Sequence, residues 1–153
     1  MGVIIMSELN FKDSIQIGIQ KSNQADVNKA EIAEVFNEFS QAFLESSSDK
    51  ISCIIKNKTR KKRPKNSNPI LAASAFMGYD YINYQALVLT NDNTDYEIAE
   101  IIKSNEGYPI QIKVGDDTST YYDKKSLISG LNKLAARTEV GDYFKLLQEK
   151  SKD

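Results

Sequence analysis

The chain has 153 residues, 41% of them hydrophobic and 27% charged, with a formal net charge of −1; that is enough for one domain with its own core, and an ordinary composition for a soluble globular protein. It has no histidine and one cysteine, Cys53. These counts exclude histidine-based acid–base catalysis and triads, histidine-containing zinc sites, an intrachain disulfide and an all-thiolate zinc site within one chain.

The opening MGVIIMSELN lacks a positive leading region, and its apolar run at 3–6 is too short for a signal core. Met6 stands where a myristoylation signal needs Ser or Thr. No run approaches the roughly 20 apolar residues of a membrane span. The expectation is a soluble, cytoplasmic chain with no membrane partner.

Residues 9–20 support two periodicities. Leu9, Phe11, Ile15, Ile17 and Ile19 alternate as in a strand, whereas Phe11, Ile15 and Ile19 recur every four residues as in a helix. Gly18 weakens both; helix is preferred because a helix follows. That next helix is expected at 28–46, opened by an Asn28–Glu31 capping box with Val27 and Ile32 as a hydrophobic staple. Ile32, Phe36, Phe39 and Phe43 form its apolar stripe, and Glu31, Glu34, Glu38 and Glu45 an acidic exposed face.

Residues 51–58 read as a strand that buries Cys53 among Ile51, Ile54 and Ile55. It runs into KNKTRKKRPK, whose Lys56, Lys58, Arg60, Lys61, Lys62, Arg63 and Lys65 are seven of the chain's 20 positive residues. The remainder carries 13 positive against 21 negative residues, a net of −8. Pro64 and Pro69, with Asn66, Ser67 and Asn68 between them, predict a basic surface loop at about 56–68.

Residues 70–81 are apolar but short, with Gly78 as a helix stop, and 84–91 read as a buried strand. Thr94 and Glu97 form a capping box for a helix to about Ser104, with Ile98, Ile101 and Ile102 inward and a left-handed Gly107 just past its end. Residues 108–123 alternate Ile110, Ile112 and Val114 with polar residues around a GDD turn, a hairpin signature. Asp123 then caps a helix bearing Leu127, Leu131 and Leu134, and a last helix near 139–149 turns Val140, Phe144 and Leu147 inward. The predicted fold is a single α+β domain over 1–153, a small, mostly antiparallel sheet of about four strands with several packed helices. No internal repeat or domain boundary is visible.

Chemistry is sparse. Asp116, Asp117 and Asp123 flank the second hairpin strand, but turn and cap roles account for them, as they do for Asp92 and Asp95 beside Thr94. The seven glycines are scattered and form no phosphate loop. No metal or cofactor is expected, and no enzymatic activity. The basic segment can track phosphates, with Phe76, Tyr79, Tyr81 and Tyr84 as candidate stacking platforms. KKRPK also fits the loose pattern of a nuclear import signal. Alternatively, the segment answers an acidic protein surface, such as the Glu31, Glu34, Glu38 and Glu45 face of a second copy. The leading expectation is a non-enzymatic binding or regulatory protein of inhibitor, immunity or adaptor type, with a protein partner or self-association favoured. Nucleic-acid binding is the alternative, and a carboxylate-dependent enzyme the second.

Overall fold

Helix α1 (Phe11–Ser46) is a single element of 36 residues, about 54 Å long at 1.5 Å per residue. It appears in a computed structural model that describes residues 10–61 and 81–151. The two N-terminal segments merge because nothing between them stops a helix: Gly18 costs only about 1 kcal/mol, and no proline intervenes. The expected cap at Asn28 is therefore corrected. Asn28 lies in mid-helix, where its Nδ2 donates to the Glu106 carbonyl at 3.1 Å and its Oδ1 accepts from Gln24 Nε2 at 3.0 Å. Val27 is exposed and staples nothing. At the other end the chain turns through left-handed Ser48 and Asp49, and Ser47 Oγ accepts the Ile51 N–H at 2.8 Å.

Five strands follow: β1 (Ser52–Lys61), β2 (Tyr81–Thr90), β3 (Asp95–Ser104), β4 (Gly107–Val114) and β5 (Asp117–Tyr121). They form one antiparallel sheet in the order β1-β2-β3-β4-β5. Helices α2 (Lys124–Ala135) and α3 (Thr138–Lys150) complete the described chain. The α+β class holds, with five strands rather than about four, because residues 95–104 are a strand and not a helix. Two local features explain the difference. Asn91 Oδ1 accepts the N–H groups of Asn93 and Thr94, and Asp92 takes a positive φ of 76°, so this stretch makes a tight β2–β3 turn. A register shift then leaves Ile98 without a partner on β2. The bulge resets the two-residue alternation, so Ile98, Ala99 and Ile101 are all buried while Ile102 is exposed. An apolar spacing that looks helical is thus an interrupted strand.

Asp123 caps α2 as expected, accepting the Ser126 N–H at 2.8 Å while Ser126 Oγ accepts from the Asp123 N–H. Leu127, Leu131 and Leu134 of α2 join Val140 and Leu147 of α3, Ile32, Val35 and Phe36 of α1, and the inward residues of the sheet in one core. All three helices contribute to that core, on one face of the sheet. Gly107 does have positive φ, +92°, but as the first residue of β4, just after the β3–β4 turn. A Cβ there would stand 2.5 Å from Asn28 Cβ, so the glycine is what lets α1 cross this turn.

Candidate functional site

Of the seven basic residues, Lys56, Lys58, Arg60 and Lys61 are on β1, within strand rather than loop. Lys62, Arg63 and Lys65 lie outside the described residues, as do Phe76 and Tyr79. Lys56, Lys58 and Arg60 share a strand face by their two-residue spacing. Ile55 and Cys53, on the opposite face, join the core with Leu87 and Leu89, so the cations occupy the face away from the helices.

On that outer face they form a ladder with the chain's own acids. Lys56 pairs with Asp95, Lys58 Nζ lies 3.9 Å from Glu97, and Arg60 reaches Glu100 through two nitrogens at 3.2 and 3.4 Å. The register shows one slant for all three pairs. Asp95, Glu97 and Glu100 share rows with Ser52, Ile54 and Lys56 through β2, so every cation reaches back four residues along β1 to find its carboxylate. The long side chains cross β2 over Ala86 and Val88, which are fully buried although they stand outside the helix-facing core. Their aliphatic stems thus roof apolar residues while their charges meet acids. The Lys56 ammonium, bonded to Asp95, holds that carboxyl below its ordinary range, helped by Thr90.

Tyr84 belongs to the same layer. Arg60 stacks 4.6 Å above its ring, and its hydroxyl donates to Glu97 at 3.0 Å. Burial, then that hydrogen bond and the Glu97 charge, raise the phenol above its usual value. Tyr81 is exposed at the start of β2. At the end of the ladder a hollow of about 270 Å³ gathers Arg60, Lys113 and Arg137 with Glu97, Glu100 and Glu139, three charges of each sign.

The acidic stripe lies on the helix layer, across the sheet from the basic ladder. Glu34, Glu38 and Glu45 are exposed. Glu31 is half-buried and accepts the Tyr108 hydroxyl at 2.8 Å; burial, followed by this bond and the Glu31 charge, pushes that phenol up. Among the described residues no group of three or more His, Cys, Asp or Glu gathers as a metal site would require. Asp116 sits in the β4–β5 turn, Asp117 opens β5 and Asp123 is the cap.

Two features escaped the sequence reading. The first is the N-terminal part of α1: residues 10–24 are all exposed, and Ala25 is the first buried position. Phe11, Ile15, Ile19 and Val27 are 67%, 61%, 48% and 58% exposed. At about 100° per residue they share a face roughly 160° wide, centred on Ile19, which begins beside the buried stripe of Ala25, Ile32 and Phe36 and runs round from it. The four-residue recurrence was visible in the sequence; that nothing among the described residues covers it was not.

The second is a cleft of about 590 Å³ between α1 and the sheet. Ile32, Ala33 and Phe36 form one wall, and Ile55, Leu87 and Cys53 the other. The Cys53 N–H donates to Ser40 Oγ at 3.2 Å, tying β1 to α1 at one end. Burial pushes the Cys53 thiol up to about 12, which makes it an inert wall group and a poor nucleophile. Lys29 and Lys103 stand at the other end, beside Asn105 and Gly107.

No protein-family model, curated protein or solved structure matches the chain.

Proposed function

We propose that this chain is a non-enzymatic binding module that engages another protein through the outward face of α1. One observation carries this reading: four large apolar side chains, Phe11, Ile15, Ile19 and Val27, are exposed together on one side of a helix that leaves the body of the domain. A helical stretch of that length has little stability in water without packing. Covering the face would supply both packing and apolar burial, at about 1.5–3 kcal/mol for each side chain fully covered.

The partner that suits this face is a second copy. Centred on Ile19, an antiparallel pair sets Ile19 against itself, Phe11 against Val27, and Lys12 against Asp26, each contact occurring twice by symmetry. Opposite charges thus flank an apolar centre in one register, which is the pattern that fixes orientation in helix pairs. Half-covering four apolar residues from each copy supplies on the order of 6–12 kcal/mol before association costs are subtracted, so the dimer should depend on concentration. Three cations of the basic segment, Lys56, Lys58 and Arg60, face carboxylates of the same sheet.

Sedimentation velocity over a concentration series tests the proposal. Wild type should shift from monomer to dimer. Ile19→Lys, which places two ammonium groups on the symmetry axis, should weaken dimerisation by about 100-fold or more. A wild type that stays monomeric at every concentration, or an Ile19→Lys variant that dimerises equally well, overturns it.

A further inference from the structure

We infer that the cleft between α1 and the sheet binds an anionic amphiphile: a single unbranched apolar chain ending in a carboxylate. Its volume of about 590 Å³ falls within the range of small-molecule sites, roughly 300–1,000 Å³. Its walls are mainly hydrocarbon, from Ile32, Ala33, Phe36, Ile55 and Leu87.

Charge gives the cleft a direction. Lys29 and Lys103 are brought to the same end by the crossing of α1 over the β3–β4 turn, where Asn28 bonds the Glu106 carbonyl and Gly107 allows close approach. Both lysines are exposed, and neither has an ion pair or hydrogen bond among the described residues. The outer face of the sheet makes the contrast: there Lys56, Lys58 and Arg60 each have a carboxylate of their own. Away from the lysines the cleft is lined by neutral groups, Asn37, Ser40 and the protonated Cys53 thiol. Two cations unpaired among the described residues, beside an apolar trough, fit a head group that is negative and a tail that is not. The head sits between Lys29 and Lys103, and the chain runs along Phe36 and Ile55 towards Cys53.

On α1 this site begins at Lys29, further along the helix than the Ile19-centred face, which ends at Val27, and ligand titration reads it separately from self-association. Calorimetric titration with dodecanoate below its micelle concentration tests this one, with dodecanol as the uncharged control. One-to-one saturable binding is expected, and dodecanol should bind at least about tenfold more weakly. The double variant Lys29→Glu, Lys103→Glu alters only exposed side chains, and it should weaken dodecanoate by about tenfold or more. Ala33→Phe fills the trough and should abolish binding of both probes; circular dichroism confirms that each variant is folded. No saturable dodecanoate binding by the wild type overturns the inference. So does dodecanol binding as tightly as dodecanoate, or binding that neither set of variants changes.

Discussion

Replacing Gly107 by alanine probes the crossing on which the position of α1 depends. The residue has φ +92°, which a side chain rarely adopts, and holding alanine there costs about 1–3 kcal/mol. The new methyl would also stand 2.5 Å from Asn28 Cβ and 3.2 Å from both the Asn28 carbonyl carbon and the Lys29 nitrogen. These atoms belong to the root and backbone of a helix, not to a flexible tip, so α1 itself must shift, at about 1–3 kcal/mol more. The sum is roughly 2–6 kcal/mol, or a fall of about 5–20 °C in Tm for a chain of this size. Urea unfolding followed by circular dichroism measures it. Gly18→Ala is the matched control: it lies in α1 with nothing within 4 Å of the new Cβ, and should stabilise by about 1 kcal/mol through helix propensity. Pairing Gly107→Ala with Asn28→Gly removes the closest overlap, so the double-mutant cycle should show about 1 kcal/mol of favourable coupling. A Gly107→Ala protein within about 0.5 kcal/mol of wild type, or a cycle with no coupling, would refute the account of how α1 is seated.

Leu127→Ala empties a fully buried position in the single core and should cost about 2–5 kcal/mol in urea unfolding; a loss under about 1 kcal/mol would show that α2 does not belong to that core. Arg60→Ala and Glu100→Ala should couple by about 0.2–1 kcal/mol in a cycle that shrinks as salt rises, whereas zero coupling at low salt would dissolve the ladder. Because Lys56 holds the Asp95 carboxyl below its ordinary range, this pair stabilises the fold above the unfolded carboxyl's pKa and is lost as pH falls through the folded one. Lys56→Gln should therefore flatten the acid side of the stability–pH curve, and an unchanged curve would count against the pairing. With its thiol pushed up to about 12 by burial, Cys53 should resist a disulfide exchange reagent at neutral pH in the native state and react fully in denaturant; rapid native reaction would contradict its burial.

Signals that operate within one turn or one strand were legible in advance. The Asp123 cap and the Leu127, Leu131 and Leu134 stripe were read correctly because both involve neighbours three or four residues apart. The hairpin at 108–123 and the burial of Cys53 were equally local. The error at 94–104 has a defined cause, since a bulge at Ile98 restarts the strand's alternation and produces helix-like spacing. A clue was present: Lys56, Lys58 and Arg60 lie two residues apart on one strand, and Asp95, Glu97 and Glu100 would lie on one face of another only if a bulge were allowed.

By itself the sequence determined the α+β class, most of the elements, the buried thiol and the want of histidine chemistry. Tertiary structure alone decided which charges answer one another, because each cation finds its acid two strands away with a slant of four residues, set by sheet order, register and twist. It alone decided where α1 stops being covered, because exposure depends on how far the sheet reaches beneath the helix. And it alone brought Lys29 to Lys103 at the end of an apolar trough, since closing that distance requires the whole sheet to fold back under the helix.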